Sequence, residues 1–212
     1  MYFLSKDLYF PDVNQASREG ILAVGGDLCL ERLQLAYQNG IFPWFDSDEP
    51  ILWWAPPKRM VVVPNDYVVS KSIRNILNQN KFKVTFNTCF KSVILHCQNI
   101  KRKGQNGTWL SDDLVQSFCE LHQAGIAKSV EVWLNNEIVG GLYGVDLGHV
   151  FTGESMFSIV PNASKVAFVS LIEHLKNNNY KLLDCQVHNP HLEKLGAFEM
   201  ERLNFMKILN AN

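Results

Sequence analysis

The side chains with the clearest chemical potential lie in an apolar segment near the carboxyl end, LLDCQV at residues 182–187. Asp184 and Gln186 are two residues apart, so an extended strand would direct both to one face, with Leu183 and Cys185 on the other. A carboxylate and an amide are costly to bury without partners. They therefore either satisfy nearby loop backbone groups, or orient an amine substrate and take its proton.

A second carboxylate, Glu154, follows apolar residues in FTGESMFS at 151–158. The pattern alone favours an exposed polar residue at a strand end. Ser155 lies in G-E-S-M, which is not the G-x-S-x-G pattern of a hydrolase nucleophile. Cys185 on a buried strand is more typical of a small apolar residue than of a nucleophile. The histidines show no metal-ligand spacing, so we predict no metal site.

Composition indicates a globular chain that works in the cytoplasm. Hydrophobic residues make up 47% of the 212 and charged residues 19%, which is enough apolar material for a sizeable core. No apolar run reaches the roughly 18 residues that span a bilayer, and the amino end has no signal-peptide pattern. Five cysteines without a C-x-x-C pair are typical of reduced thiols. We expect a cytoplasmic protein without a membrane partner.

The net charge of −1 conceals a basic block at residues 58–103. This block holds ten Lys or Arg and one acid, Asp66, which leaves ten basic and twenty acidic residues elsewhere. A solvated surface would explain the block equally well, but the near absence of acids favours a polyanionic partner. Nucleic acid is the polyanion that we expect.

An aromatic–proline segment, IFPWFDSDEPILWWAPPKR at residues 41–59, holds Trp44, Trp53 and Trp54 together with four prolines. Proline lacks an amide hydrogen and breaks helices, so a regular helix is excluded here. We expect Trp53 and Trp54 to pack a small amino-terminal domain onto a larger one.

The order of predicted elements indicates an α+β fold. An amphipathic helix from Ser70 and a strand at 83–87 precede two helices, at 88–100 and 111–124. A three-stranded meander at 129–158, a helix of about fifteen residues after Asn162, a strand at 181–187 and a short helix at 191–197 follow. We place a boundary near residue 64, with a small amino-terminal domain (1–64) and a main domain (65–212).

The strands and helices of the main domain resemble acyltransferases of the GNAT type. Those that use coenzyme A hold its pyrophosphate on a Gly-rich loop at a helix amino terminus. The corresponding loop here, SIVPNASK, contains no glycine before Lys165. Because close backbone approach to a pyrophosphate favours glycine, coenzyme A is not the expected donor.

Nine segments together closely resemble the leucyl/phenylalanyl-tRNA–protein transferase family, over about residues 10–200. They are, in order, GILAVGGDL, AYQNGIFPWF, ILWWAPPKR, GTWL, SVEVW, GGLYGV, GESMFS, NASK and LLDCQV. The resemblance implies an aminoacyltransferase that moves Leu or Phe, and also Met, from aminoacyl-tRNA to the α-amino group of proteins beginning with Arg or Lys. It further implies a role in the N-degron pathway, a GNAT-like carboxyl-terminal domain and no cofactor. We expect a monomer, although the resemblance does not give the oligomeric state.

The resemblance also assigns roles to residues. It puts Glu154, Asp184 and Gln186 at the reacting centre. In one scheme Gln186, polarised by Asp184, draws the proton from the attacking amine; in the other Asp184 only orients, and the ribose of the tRNA carries the proton. Glu154 would hold the terminal adenosine or the cationic amino terminus of the acceptor.

Three further groups of residues follow from the resemblance. The implied aminoacyl pocket consists of Leu142, Phe151, Phe168, Leu171, Leu175 and Leu183. The implied contacts to the 3′-terminal adenosine are Trp44, Trp109, Phe118 and Met156. The implied phosphate contacts are Lys71, Arg74, Lys81, Lys83, Lys101, Arg102 and Lys103.

Two other functions remain open at this point. One is an aminoacyl-tRNA-dependent transferase with a different amino acid or acceptor. The other is a tRNA-binding module without catalysis, which would keep the basic residues and break the polar cluster. Acidic acceptors would need a cation near the amine, where the motifs offer Glu154 and Asp184 instead, and the polar cluster is intact.

Overall fold

The computed structural model describes residues 2–46, 49–100 and 109–211, which form two β-sheets surrounded by helices. The mixed α+β class is confirmed. The strands are β1 (Tyr2–Leu4), β2 (Ile21–Gly25), β3 (Phe42–Pro43), β4 (Leu52–Trp54), β5 (Lys58–Val62), β6 (Lys83–Phe86), β7 (Ala127–Leu134), β8 (Glu137–Asp146), β9 (Val150–Ser158), β10 (Leu182–Asp184) and β11 (Phe198–Glu201). The α-helices are α1 (Leu30–Gln38), α2 (Lys71–Asn78), α3 (Phe90–Asn99), α4 (Asp112–Gln123), α5 (Ala163–Asn177), α6 (Pro190–Lys194) and α7 (Arg202–Leu209). Within this described part, no helix is long and apolar enough to cross a membrane.

The smaller sheet has four strands in the order β1-β2-β4-β3, and its interior is built around Trp53. The fully buried Trp53 indole donates from Nε1 to the Gly25 carbonyl at 2.9 Å and meets the Phe10 ring edge-on. Trp54 donates from Nε1 to the Trp44 carbonyl at 2.6 Å. These bonds lie within the small sheet and its loop, so both indoles hold this sheet together. Trp53 also belongs to a core cluster that includes Phe90, Leu114 and Tyr143, and the expectation that the two indoles pack two domains together stays a prediction.

The larger sheet has seven strands in the order β11-β5-β10-β9-β8-β7-β6. Strands β7, β8 and β9 form the predicted antiparallel meander. Asn135 and Asn136 both have positive φ, as the first hairpin of the meander requires. Helix α5 packs on β7, β8 and β9 with its apolar face, and β10 then pairs in parallel with β9. The strand order brings the ends of β9 and β10 side by side.

Serine residues cap the amino-terminal ends of two helices. Ser70 Oγ accepts from the Ile73 amide ahead of α2, and Ser111 Oγ accepts from the Leu114 amide ahead of α4. Asp27 does not cap helix α1. Its cap position is Cys29, and the carboxylate of Asp27 instead accepts from the Cys29 amide and the Arg32 guanidinium.

Strand β10 is shorter than the predicted strand at 181–187, because Gln186 has φ +66° and leaves the extended conformation. The chain still bonds to β5 beyond this point, through the Cys185 amide to the Met60 carbonyl and the Met60 amide to the Gln186 carbonyl. The domain boundary near residue 64 stays a prediction. Strand β5, which precedes it, belongs to the seven-stranded sheet.

Candidate active site

The candidate site is a cavity of about 570 Å³. It is bounded by β9, α5, the turn that follows β10, and an aromatic loop that we define as residues 40–45. Gln186 and Glu154 line it together with apolar side chains. A pocket of this size, mostly apolar and with a few converging polar groups, is typical of a binding site for a small organic group.

Asp184 does not face this cavity directly, because it is fully buried and paired with Arg59. Strand β5 pairs antiparallel with β10, with Val61 opposite Asp184, so Arg59 lies on the same face two residues away. Arg59 Nε donates to Asp184 Oδ1 at 3.2 Å, and Nη2 donates to Oδ2. Arg59 is itself only 2% exposed, so it is not one of the surface cations expected from the basic block.

Gln186 is held in place by both carboxylates. Its backbone amide donates to Asp184 Oδ1 at 2.9 Å, and its side-chain Nε2 donates to Glu154 Oε1 at 2.6 Å. The structure therefore brings together the three polar residues that the sequence singled out. The reason differs from the expected one: a tight turn with positive φ, rather than strand alternation, holds Gln186 beside Asp184.

Glu154 lies in the middle of β9, not at a strand end as its sequence pattern favoured. Burial raises the pKa of Glu154 to about 8, although the neighbouring Tyr37 hydroxyl offsets part of the rise. Burial also raises the pKa of Tyr37 well above its ordinary value, and the nearby Glu154 adds to that shift. Oε1 of Glu154 is the oxygen that accepts from Gln186. The site therefore holds one carboxylate that is paired with an arginine and one carboxyl group whose pKa is raised by burial.

The apolar wall contains four of the six residues implied for the aminoacyl pocket, namely Leu142, Phe168, Leu171 and Leu183. Phe151 and Leu175 do not line this cavity. They line a second cavity of about 200 Å³, to which Leu171 also contributes. Both are nearly fully buried, so in this structure they belong to the core around the wall.

Of the four residues implied for the tRNA end, Trp44, Trp109 and Met156 line the cavity. Trp44 is 40% exposed and packs on one side against the Trp54 ring, with centroids 5.3 Å apart. Phe118 differs from its expected role. It is fully buried and meets the rings of Tyr37 and Tyr143, so its faces are not available to a nucleobase.

Comparison with known proteins gives two family models that together match most of the chain. The model described as leucyl/phenylalanyl-tRNA protein transferase matches residues 61–210, and the model of its N-terminal domain matches residues 26–57. The chain belongs to this family. Relatives named leucyl/phenylalanyl-tRNA–protein transferase include one from Flavobacterium johnsoniae, 63% identical with full coverage of both chains. Another, from Flavobacterium psychrophilum, is 56% identical over 99% of each chain.

Membership of the leucyl/phenylalanyl-tRNA protein transferase family makes the chain an aminoacyltransferase. A solved structure with a related fold is that of FemX, with a TM-score of 0.53 at 10% identity. The match covers 81% of this chain and 66% of FemX. At this identity the likeness concerns the fold alone, and it agrees with the GNAT-like acyltransferase fold that we expected.

Four of the implied phosphate contacts of this family member are exposed: Lys71, Arg74, Lys81 and Lys83. The other three, Lys101, Arg102 and Lys103, lie outside the described residues. Elsewhere in the basic block, Lys58 pairs with Glu199 at 3.1 Å and is less available for a phosphate. Among the residues that the structure describes, no group of three or more His, Cys, Asp or Glu could hold a metal ion.

Sequence reasoning missed Arg59 and Tyr37 as members of the site. Arg59 was counted only as one cation of the basic block, and Tyr37 was not considered as a polar group. The signal that could have found Arg59 is a buried aspartate in an apolar strand, because an ionised carboxylate in the interior needs a cation or several donors. Nothing in the local pattern identifies which cation, since 125 positions separate the two residues.

Proposed function

We propose that this chain transfers Leu or Phe, and also Met, from aminoacyl-tRNA to the α-amino group of proteins that begin with Arg or Lys. The product would carry a new amino-terminal residue that marks it for the N-degron pathway. The observation that carries the proposal is an apolar cavity that contains the hydrogen-bonded pair of Gln186 and Glu154. The proposal includes that the chain acts as a monomer, and that it acts in the cytoplasm because its donor is a tRNA.

The apolar wall supports a Leu- or Phe-sized donor side chain. Leu142, Phe168 and Leu183 are each at most 5% exposed, and they leave room beside them in the cavity. Burying a Leu or Phe side chain is worth roughly 1.5–3 kcal/mol. One methylene discriminates by only about 10–200-fold, so an apolar pocket accepts Met as well. A charged side chain would lose its hydration without gaining a partner at this wall.

Trp44 is the aromatic group best placed to bind the 3′-terminal adenosine. Its ring lines the cavity and keeps an exposed part, while Trp54 supports it from one side. Stacking of a base on an aromatic side chain is worth about 1–3 kcal/mol. Pro43 fixes the backbone next to it, so little conformational freedom is lost on binding. Trp109 and Met156 complete the apolar surface around this end.

The hydrogen bonds favour an orienting role for Asp184. Its carboxylate is occupied by Arg59 and by the Gln186 amide, and it has no exposed surface with which to meet a substrate. Gln186 lines the cavity, and because its Nε2 is bound to Glu154, its carbonyl oxygen is left to accept from the acceptor amine. An amide oxygen is too weak a base to keep a proton, so this contact orients the amine.

In the reaction that we propose, the neutral amine nitrogen attacks the ester carbonyl carbon of the aminoacyl-tRNA. The new C–N bond forms, the bond between that carbon and the ribose oxygen breaks, and the proton lost by the amine ends on the ribose oxygen. The ester is already activated, so holding amine and ester together supplies much of the rate. This scheme needs no metal and no cofactor.

The charges that face the cavity support a cationic acceptor. Asp184 and Arg59 neutralise each other away from the cavity, and Glu154 lines it. A cationic amino-terminal residue nearby would lower the raised pKa of Glu154 and favour its ionised form. An acidic amino-terminal residue would raise that pKa further and gain nothing. This asymmetry supports Arg or Lys over Asp or Glu at the acceptor.

The test is transfer of radiolabelled leucine from Leu-tRNA to two peptides that differ only in an amino-terminal Arg or Asp. We expect label on the Arg peptide alone. Equal label on both peptides would remove the acceptor preference but leave the donor. Absence of label on either peptide, under conditions where the protein binds Leu-tRNA, would overturn the proposed function and favour a binding module.

A further inference from the structure

Arg59 contacts both sides of the candidate site with one guanidinium group. On one side, Nε and Nη2 bind the two carboxylate oxygens of Asp184. On the other side, Nη1 donates to the carbonyl oxygen of Gly40 at 2.7 Å, at the start of the aromatic loop. Three of its donors are therefore committed to two segments that are far apart in the sequence.

Two aromatic rings enclose the same guanidinium. Its Cζ lies 4.9 Å from the ring centroid of Phe42, in the aromatic loop, and 4.5 Å from that of Phe205, in α7. Both rings are nearly fully buried. Cations over aromatic faces gain stabilisation that grows when water is excluded, so this enclosure restricts the guanidinium to one orientation. A Cβ at Gly40 would lie 2.8 Å from Met206 Sδ, so α7 also closes tightly on the loop.

The two segments that Arg59 contacts, the turn at residues 184–186 and the aromatic loop, each carry residues that line the cavity. The turn at residues 184–186 carries Gln186, which lines the cavity and whose backbone amide donates to Asp184. The aromatic loop carries Phe42, Pro43 and Trp44, which line the same cavity. Under the proposed function, the first segment holds the acceptor amine and the second holds the end of the aminoacyl-tRNA. Arg59 joins the two segments directly.

We propose that Arg59 is a positioning residue that fixes the distance between the group that orients the acceptor amine and the loop that binds the aminoacyl-tRNA end. The proposal rests on the proposed function. Arg59 touches neither substrate; it acts through Asp184 and through the aromatic loop. A displacement of about 1 Å between reacting groups costs roughly 100-fold in rate, which is why such a link matters.

Lysine cannot reproduce the donor geometry of Arg59. A guanidinium is planar and presents five donors in a fixed fork, whereas an ammonium is a point charge with three donors. Arg59→Lys keeps the charge that Asp184 needs but cannot bind both carboxylate oxygens and the Gly40 carbonyl at once. This variant therefore separates charge compensation from positioning.

The chain offers a matched control in Arg32. This arginine is also fully buried, pairs with Asp27, and donates to the Asp7 and Ser5 carbonyls, but its contacts lie in the small sheet region. It does not line the cavity. Arg32→Lys should therefore disturb a buried arginine network of the same kind without moving the site.

The experiment measures kcat and KM for Leu transfer to an Arg-initiated peptide, with unfolding midpoints, for the wild type, Arg59→Lys, Arg32→Lys, Asp184→Asn and the double variant Arg59→Lys/Asp184→Asn. We expect Arg59→Lys to lose about tenfold to 100-fold in kcat with KM for Leu-tRNA nearly unchanged. Arg32→Lys should keep the wild-type kcat. Because Arg59 acts through Asp184, the double variant should be no slower than the slower single variant.

Three results would overturn the proposal. They are an unchanged kcat in Arg59→Lys, an equal loss in Arg32→Lys, or losses that multiply in the double variant. If Arg59→Lys does not fold, Phe205→Leu takes its place, since it removes one face of the enclosure and leaves the ion pair. An unchanged kcat in that folded variant would equally overturn it. Absence of transfer by the wild type is a different result, which rejects the proposed function and this proposal with it.

Discussion

Two buried arginines hold this molecule together in different ways. Arg32 binds Asp27, whose side chain is 45% exposed, and otherwise bonds to backbone carbonyls of the amino-terminal segment. Arg59 binds Asp184, which has no exposed surface at all. The first pair has one member in water, and the second lies wholly in the interior, next to the cavity.

The difference shows what each pair contributes. Water can compensate Asp27 if Arg32 is lost, so this pair resembles an ordinary anchor for a chain end. The hydrogen bond from Arg32, with further ones from the thiol and the backbone amide of Cys29, lowers the pKa of Asp27 to about 2. Water cannot reach Asp184, and a buried pair gains little net stability over apolar residues of the same shape. A fully buried pair beside a cavity is therefore better explained by geometry than by stability.

The largest expected effect comes from removing each aspartate. Asp184→Ala leaves Arg59 buried without a counter-charge, which costs about 3–5 kcal/mol of unfolding free energy. Asp27→Ala should cost only about 1–2 kcal/mol, because Arg32 keeps its two carbonyl acceptors. Urea unfolding at pH 7 measures both. Equal losses would show that the exposure of the aspartate does not distinguish the two pairs.

The same two variants separate stability from function under conditions where both remain folded. Asp184→Ala should reduce transfer by orders of magnitude while aminoacyl-tRNA binding stays nearly unchanged, because Asp184 orients Gln186 and does not line the cavity. Asp27→Ala should leave both quantities at wild-type values. If Asp184→Ala lost binding as strongly as transfer, Asp184 would be a structural residue only.

The pH dependence of the unfolding free energy gives a second comparison, between Glu154, a carboxyl group in the candidate site, and Asp27. Its pKa is about 8 in the folded chain, against an ordinary value of 4.5. Between these values the folded chain holds one more proton than the unfolded chain, so this group makes stability fall as pH rises from 4.5 to 8. Glu154→Gln removes that titration. Its stability relative to the wild type should therefore increase from pH 5 to pH 8, by an amount on the order of a few kcal/mol at about 1.4 kcal/mol per pKa unit.

Asp27→Asn is the matched control for this measurement. The pKa of Asp27 is lowered, so the stability it contributes is present above 3.8 and is lost only as pH falls toward 2. Its difference from the wild type should thus stay constant between pH 5 and pH 8. Thermal unfolding at the two pH values measures both variants. A constant difference for Glu154→Gln would mean that Glu154 is ionised in the folded chain throughout this range.

Local patterns predicted much of the fold, because they depend on neighbours in the sequence. The three-stranded meander and the helix of about fifteen residues after Asn162 each follow from residues a few positions apart. The contact between Asp184 and Gln186 was also anticipated. The pairing of Asp184 with Arg59 was not, because sheet order decides it and 125 positions intervene.

The burial of Phe118 and the position of Phe151 outside the main cavity also depend on contacts between residues that are distant in the sequence. A resemblance assigns residues to a neighbourhood, but burial decides whether a ring faces a ligand or the core. Both rings lie close to the elements that form the site. Phe118 is enclosed by the rings of Tyr37 and Tyr143, and Phe151 lines the second cavity, which no pattern of a few residues could have indicated.

The smallest expected effect is on tRNA binding, and it comes from a comparison of surface cations with and without an ion-pair partner. Lys71 and Arg74 lie exposed on α2 and form no ion pair among the described residues, whereas Lys58 is paired with Glu199. Replacing Lys71 and Arg74 together with Ala should weaken tRNA binding and reduce its dependence on salt. Each lost phosphate contact lowers the slope of log K against log salt concentration by roughly 0.7–0.9, so the double variant should lose about 1.5. Lys58→Ala should leave the slope unchanged, because that lysine already has a carboxylate partner. Filter binding of Leu-tRNA at several salt concentrations measures all three proteins, and an unchanged slope in the double variant would assign the phosphate contacts to other cations of the basic block.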